Sequence, residues 1–233
     1  VAAALAGVAA VVLVAAYLSR PAPADAAAEL NRLIDAPADA RDRVYVVRSL
    51  DPNPAPPPGR QPPVDGATLY VRRPDRYVLV RRFPDGRAYA TGCDGEHGWS
   101  APPDGAVRVS GDPMRFRGPL PGNQHGIPFV DLRSDLVSLR EAYALTSLGT
   151  DGSGRRGVRA DKRSPEHRGP RRVDLWYDPA TLVIHRMVFE GLPKARGGPD
   201  AVAVELTDTR DLGPDFFKHD AHHAGDRTVV EED

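Results

Sequence analysis

A run of five short strand-like segments separated by turn residues, from residue 67 to residue 110, most constrains how this chain can fold. The five segments cover 67–73, 76–83, 87–93, 96–101 and 106–110. Pro-Asp, Pro-Asp-Gly, Asp-Gly and Pro-Pro-Asp-Gly separate them. Asp-Gly between two strands favours a hairpin, because glycine adopts positive φ without strain. The pattern therefore predicts one curling antiparallel sheet, and the 24 prolines and 22 glycines of the chain favour it over a helical bundle.

Two other segments have the spacing of amphipathic helices. The apolar residues of 25–36 share one helical face, and those of 129–145 recur every three or four positions. The end of the second segment fits either a helix tail or a strand. Further strands are predicted at 43–50, in a hairpin over 171–192 and at 200–211. The fold class is thus predicted as α+β, with a curled antiparallel sheet covered by a few helices.

Two segments are predicted to be loops. Residues 51–64 contain seven prolines in fourteen positions, so this segment cannot supply the backbone donors of a strand. Residues 153–172 carry eight basic residues against two acidic ones. This basic loop is either solvated or in contact with anionic lipid headgroups. Nucleic acid is not an expected partner, because the segment has no aromatic residues for stacking and the net charge of the chain is −1.

The N-terminal residues 1–18 contain no charge and no proline. A run of this length is at the lower end of what spans a bilayer as a helix, and Arg20 and Pro21 end it. We therefore expect residues 1–20 to form one transmembrane anchor in the inner membrane. A cleaved signal peptide is the alternative, since small residues follow the run. Both interpretations place the domain of residues 25–233 outside the cytoplasm.

The order of motifs resembles that of LolA-type periplasmic lipoprotein carriers and their sensor relative RseB. That pattern consists, in chain order, of a strand, a basic residue and proline, an aromatic strand, Asp-Gly, tryptophan and proline. The matching residues are Arg73, Pro74, Tyr77, Asp94, Gly95, Trp99 and Pro102. The hairpin over 171–192 and the phenylalanine-bearing C-terminal stretch are also similar, so the resemblance covers residues 25–233. It implies that Pro74, Asp94, Gly95 and Trp99 have structural roles at turns.

The resemblance also implies a half-open barrel with an apolar face that holds acyl chains. The segments 25–36 and 129–140 would be its lid helices. A retained anchor would prevent the shuttling on which carriers depend, and the loops 51–64 and 153–172 look like insertions. The fold and an apolar cavity are therefore expected of this chain, while carrier activity is not transferred.

Two clusters invite a chemical interpretation. Cys93, the sole cysteine, lies four residues before His97, but a hairpin turn is the favoured interpretation because an Asp-Gly pair separates them. Near the C-terminus, His219, His222 and His223 are candidate metal ligands, although solvated surface histidines are favoured there. The sequence contains no Ser-His-Asp spacing, P-loop or paired cysteines. We therefore expect no enzyme and no cofactor; a metal-dependent hydrolase that uses the C-terminal histidines is the remaining enzymatic alternative.

Apolar residues occur on both faces of the predicted strands, which fits a sheet that is covered on one side and holds a ligand or partner on the other. The candidate residues that line a cavity are Val78, Val80, Trp176, Met187 and Phe189. The predicted function is non-catalytic binding of an apolar ligand, such as a lipid or a lipoprotein acyl chain. The alternative is an envelope sensor or regulatory module, similar to an anti-sigma arrangement, that acts through protein partners.

Overall fold

The computed structural model describes residues 23–37, 41–51, 62–117, 133–166, 169–192 and 199–232. The helices are α1 (Pro23–Ile34) and α2 (Arg133–Ala142), with a short 3₁₀ helix at His219–His222. The first six strands are β1 (Asp42–Ser49), β2 (Thr68–Arg72), β3 (Arg76–Arg82), β4 (Ala88–Cys93), β5 (Gly98–Ala101) and β6 (Val107–Ser110). The others are β7 (Tyr143–Thr150), β8 (Arg156–Lys162), β9 (Arg172–Tyr177), β10 (Ile184–Glu190), β11 (Ala201–Arg210) and β12 (Val229–Glu232).

All twelve strands belong to one curled, unclosed sheet in the order β12-β6-β5-β4-β3-β2-β1-β11-β10-β9-β8-β7. Sequential neighbours pair as antiparallel hairpins from β1 to β6 and from β7 to β11. β1 joins the two halves by pairing with β11, and β12 adds to β6 in parallel. The predicted meander and the α+β class are therefore confirmed, because short turns leave antiparallel pairing as the only local choice.

The main hydrophobic core lies between the two helices and one face of the sheet, here called the inner face. Leu30, Leu33 and Ile34 of α1 and Leu136 and Leu139 of α2 are buried against it. The apolar side chains of both predicted helices are thus on the faces that their spacing indicated. The sheet side chains that meet them include Tyr45, Leu69, Tyr77, Leu175, Met187 and Phe189.

The opposite face of β3–β6, here called the outer face, has a second and smaller buried cluster. It contains Val78, Ala90, Trp99, Ala101, Val107 and Phe217, with Val80 and Phe216 packed against it. The segment after β11 crosses this face and delivers the two phenylalanines. The second apolar face that the sequence indicated is therefore covered, at β3–β6, by the segment of the chain that follows β11.

Two predicted boundaries differ from the structure. The second helix ends at Ala142, and Tyr143 begins β7, so the segment 143–149 is a strand. The first half of the predicted basic loop 153–172 is β8, which pairs with β7 and β9. Val158 and Ala160 of β8 point into the core, and Arg159 between them points to the opposite side. Most of the proline-rich segment 51–64, from residue 52 to residue 61, lies outside the described residues.

Within the described ranges, no helix has the length and hydropathy that spanning a bilayer requires. The apolar run 1–18, on which the anchor prediction depends, lies outside those ranges.

Candidate functional site

The inner face is an almost continuous apolar surface beneath two short helices. Its side chains come from β1–β4 and β7–β11 and are nearly all excluded from solvent. Tyr45, Tyr77, Tyr143 and Tyr177 contribute hydroxyl groups to this face. Burial raises the pKa of Tyr45 to about 12, and the Tyr45 hydroxyl donates to the carbonyl of Ile184 at 3.0 Å. Burial also raises the pKa of Tyr77. The face can therefore accommodate apolar groups but offers little to a charged one.

A buried arginine holds the end of α1. Arg73 is 8% exposed, and its Nη2 donates to the carbonyl oxygen of Leu33 at 2.7 Å. Carbonyls in the last turn of a helix lack intrahelical partners, so this contact caps α1. Burial lowers the pKa of Arg73, and the positive charges of Arg43 and Arg133 lower it further. The arginine of the sequence motif thus fixes the position of the first helix over the inner face.

A depression of about 350 Å³ opens beside this contact and is here called the mouth. It is lined by Ile34, Asp35, Ala36, Pro37, Arg73, Pro74 and Arg133. These residues come from the end of α1, the β2–β3 turn and the start of α2. Asp35 and Arg133 form a long, exposed ion pair of 4.0 Å across it. The mouth lies where both helices meet the β2–β3 turn, and Ile34 connects it to the core.

Two further contacts hold α1 along its length. Glu29 is buried and forms an ion pair of 2.5 Å with Arg156 of β8. Asn31 accepts a hydrogen bond of 3.0 Å from Arg140 of α2. A buried ion pair between Arg117 and Asp135 holds the start of α2, with Nη2 at 2.7 and 2.8 Å from the two carboxylate oxygens. Both helices are thus positioned by a few polar contacts as well as by packing.

The five predicted cavity residues do not lie on one face. Met187 and Phe189 are on the inner face, whereas Val78 and Val80 belong to the outer cluster. Trp176 is half-buried and covers Gly157 of the neighbouring strand, where an added Cβ would lie 2.6 Å from the Trp176 ring. The prediction of a common face is therefore corrected.

A register shift between Ile184 and Arg186 accounts for part of this difference. Because Ile184 and Met187 are three residues apart, strict alternation would place their side chains on different faces of the sheet. The register shift instead places Ile184, Met187 and Phe189 in the same inner core.

The turn around Cys93 has a structural geometry. Cys93 is buried on the inner face, and burial raises the pKa of its thiol. His97 is exposed and contacts Asp94, with its Nδ1 3.7 Å from the carboxylate. The Asp94 side chain also accepts from the backbone amides of Glu96 and His97 at 2.9 and 2.8 Å, while Gly95 has a φ of +103°. These bonds are those of a closed turn, and among the described residues the Cys93 thiol accepts a hydrogen bond of 3.3 Å from the Gly95 amide.

Trp99 anchors the C-terminal segment. Its Nε1 donates to the carbonyl of Phe217 at 2.9 Å, and its ring stacks on His222 with centroids 5.1 Å apart. Gly92 lies beneath the ring, since a Cβ there would be 2.3 Å from Trp99 Cζ2. Pro74, the other predicted turn residue, is exposed in the β2–β3 turn, and the Arg73–Pro74 peptide is cis. The sequence did not predict Phe216 and Phe217 as partners of Trp99.

The three candidate histidines have two different environments. His222 belongs to the outer cluster: its Nε2 is 2.6 Å from the Phe216 carbonyl, and burial lowers its pKa. His219 and His223 instead contact each other and Asp220. The structure therefore separates His222 from the two histidines that could share a metal ion.

The basic residues of β8 and β9 are paired with acids inside the sheet. Arg159 binds both carboxylate oxygens of Asp174, at 2.7 and 2.6 Å, and Arg172 contacts Asp161 at 2.8 Å. Much of the positive charge of 153–172 is thus balanced by neighbouring strands and is not held on a solvated loop.

A larger open depression, of about 600 Å³, lies beside the start of β1 and is here called the polar groove. Its lining comes from the β9–β10 turn and the second half of β11. It comprises Arg41, Asp178, Thr181, Val183, His185, Leu206, Thr207, Asp208 and Thr209. Most of these side chains are polar, so the polar groove is unsuited to an acyl chain.

No family model matches the sequence, and no curated protein matches it. Solved structures do match. A LolA superfamily protein from Nitrosomonas europaea is 13% identical, covers 84% of this chain and 98% of its own, and has a TM-score of 0.39. The lipoprotein LppX of Mycobacterium tuberculosis is 13% identical over 81% of this chain and 97% of its own, with a TM-score of 0.46.

A third match is MucB, solved in complex with the periplasmic part of MucA. It is 13% identical over 90% of this chain and 62% of its own, with a TM-score of 0.34. The LolA superfamily that the sequence resembles is thus also found among the matching solved structures. The likeness is one of fold.

Proposed function

We propose that this chain is a non-catalytic, membrane-anchored extracytoplasmic protein that binds a lipid or a lipoprotein acyl chain on its inner face. The observation that carries the proposal is the mouth beside Arg73. There, a single buried guanidinium caps a short helix that covers an apolar face, and a depression opens next to the cap. The ligand would enter there and take the place of the helix side chains.

The length of α1 supports its role as a movable cover. It has 12 residues, and helices of this length are marginal in water without tertiary contacts. Its position depends on the packing of Leu30, Leu33 and Ile34 and on the contacts of Glu29 and Arg73. An acyl chain can replace the packing, because apolar contacts are non-directional.

The charges of the mouth favour one kind of headgroup. Arg73 and Arg133 line it together with one acid, Asp35. This lining is net positive, so an anionic amphiphile is the expected ligand class, with its tail on the inner face and its head at the mouth.

The test is a titration with saturated fatty acids of increasing length. Neither Trp99 nor Trp176 lies on the inner face, so displacement of an environment-sensitive dye is a better signal than tryptophan fluorescence. Each buried CH₂ contributes about 0.8 kcal/mol, so affinity should rise about fourfold per methylene until the face is filled. The protein for this titration is a fragment that lacks residues 1–18, and circular dichroism is to verify first that its sheet is folded.

Two variants sharpen the assay. Arg133→Glu reverses a charge at the mouth and should weaken binding of the acids, while binding of the matching fatty alcohols changes little. Trp176→Leu changes the outer side of the sheet and serves as the control, with unchanged affinity expected. Equal affinity at every chain length in the folded fragment would refute acyl binding.

The anchor has its own test. The full chain should sediment with membranes, and removal of residues 1–18 should release it into the soluble fraction. A native N-terminus mapped near Ala26 would show cleavage and would contradict a retained anchor.

An envelope regulatory module that binds a protein partner is the second candidate function. The polar groove favours it, because its open form and mixed lining suit a peptide better than a lipid. A flat fatty-acid titration would make this candidate the leading one.

A further inference from the structure

Three side chains of the C-terminal segment converge on one point. Nδ1 of His219 lies 3.0 Å from Nε2 of His223. An oxygen of Asp220 lies 3.1 Å from the same His219 nitrogen and 3.7 Å from the same His223 nitrogen. The two imidazole rings are stacked, with an interplanar angle of 5°. One nitrogen of each histidine and one carboxylate oxygen thus form a triangle with sides of 3.0, 3.1 and 3.7 Å.

The size of this triangle matches a tetrahedral metal site. With Zn–N distances of about 2.0–2.1 Å and Zn–O distances of about 2.0–2.2 Å, ligand atoms of a tetrahedral site lie about 3.3 Å apart. The three separations of 3.0, 3.1 and 3.7 Å bracket this value. One ion above the triangle could reach all three atoms without a change in the backbone.

The hydrogen bonding of His223 directs a lone pair at the same point. Its Nδ1 lies 2.7 Å from the carbonyl oxygen of Ala224, which can only accept. The neutral ring therefore carries its proton on Nδ1, and its Nε2 lone pair faces His219 and Asp220. A backbone carbonyl that fixes a histidine tautomer in this way is a regular feature of metal sites. The side chain of His223 is only 3% exposed, so the orientation is held by the surrounding protein.

The neighbouring charges leave the triangle available to a cation. Lys218 is engaged by Asp215 at 2.8 Å. The side chain of Asp220 is 74% exposed, so a fourth ligand position opens to solvent.

We propose that His219, Asp220 and His223 bind one divalent transition-metal ion, Zn²⁺ in the first place, with water as the fourth ligand. Two imidazoles and one carboxylate suit zinc, nickel or copper better than the oxygen-seeking Ca²⁺ and Mg²⁺. The ion would tie together the two ends of the 3₁₀ helix, whose last residue, His222, stacks on Trp99. It would thereby strengthen the cover of the outer face, far from the proposed lipid site.

The test is metal binding by the full chain, free of affinity tags and stripped of metal, in a mild non-chelating detergent. Calorimetric titration with Zn²⁺ should give one ion per chain, and Co²⁺ should give the intense visible absorption of tetrahedral coordination. Asp220→Asn should weaken binding by about tenfold or more, and His219→Gln should abolish it. Both side chains are at least partly exposed, so neither change should prevent folding.

His97→Gln is the matched control. His97 also contacts a carboxylate, that of Asp94 at 3.7 Å, but it is not part of a three-ligand group in the described residues. Zn²⁺ should raise the melting temperature of the wild type and of this control, and not that of His219→Gln. The proposal is overturned if the wild type shows no saturable binding. It is equally overturned if the two ligand variants bind Zn²⁺ as tightly as His97→Gln does.

Discussion

Loss of one partner from the buried Arg117–Asp135 ion pair should destabilise the fold more than any exposed ion pair can. The side chains of Arg117 and Asp135 are 4% and 6% exposed, and the guanidinium contacts both carboxylate oxygens. Arg117 also faces the ring of Tyr77, 5.9 Å from its centroid. The pair links the residues after β6 to the first turn of α2, so it helps to keep this helix on the inner face.

The magnitude follows from the burial. Removal of one member leaves the other charge in the core without this counter-charge, which costs about 3–5 kcal/mol. For a domain of this size each kilocalorie lowers the melting temperature by about 2–4 °C, so a decrease of about 6–20 °C is expected. Replacement of both members by apolar residues of similar volume removes both desolvated charges and should be neutral or stabilising.

The assay is a double-mutant cycle by urea unfolding with Arg117→Met, Asp135→Leu and the double variant. Asp85→Leu is the control, because Asp85 pairs with Arg87 at 2.8 Å while both side chains are 51% exposed. An exposed pair of this kind contributes less than about 1 kcal/mol. The reasoning is refuted if Asp135→Leu costs no more than Asp85→Leu, or if the double variant is as unstable as the singles.

Three further predictions concern the mouth, the turn and the polar groove. Arg73→Leu removes the hydrogen bond that caps α1, and a hydrogen bond to a charged group contributes about 1.5–3 kcal/mol. Acyl ligands should therefore bind several-fold faster when the rate is followed by stopped-flow dye displacement. An unchanged rate would exclude α1 as the cover. Gly95→Val should lower the free energy of unfolding far more than Cys93→Ser, because Gly95 has a φ of +103°; equal losses in urea unfolding would mean that the thiol has a role of its own. Burial and Arg155 lower the pKa of His185 below 6.5, so its stabilising contribution is present above that value and lost as pH falls. His185→Gln should therefore lose less stability than the wild type between about pH 7 and 5.5, and an equal loss in the two proteins would contradict this.

The parts of the fold that the sequence predicted are those with local causes. The strands from β2 to β6 follow from the turn residues between them, and Gly95 takes its positive φ where the Asp-Gly pair indicated a turn. The buried face of α1 follows from the spacing of Leu30, Leu33 and Ile34. In each case one or two neighbouring residues decide the geometry, so no knowledge of the rest of the chain is needed.

The parts that were missed depend on residues far apart in the sequence. The segment 153–172 was predicted to be a solvated loop from its many basic residues. Their acidic partners lie elsewhere in the sequence, since Arg159 pairs with Asp174 on the next strand and Arg156 pairs with Glu29 in α1. The register shift at β10 likewise has no marker in its own residues, and it reversed the expected side of Met187.

The same distant contacts change which face can hold a ligand. Two apolar faces suggested that one of them was left for a ligand, and Val78 and Val80 were placed on it. Phe217, 139 residues after Val78, packs on that face, and its carbonyl accepts the Trp99 indole proton. At β3–β6 the outer face is thus an internal core. Opening it would expose apolar surface to water, which costs about 25 cal/mol of free energy per Å². The proposed ligand is therefore assigned to the inner face, where the cover is a 12-residue helix capped by one arginine at the mouth.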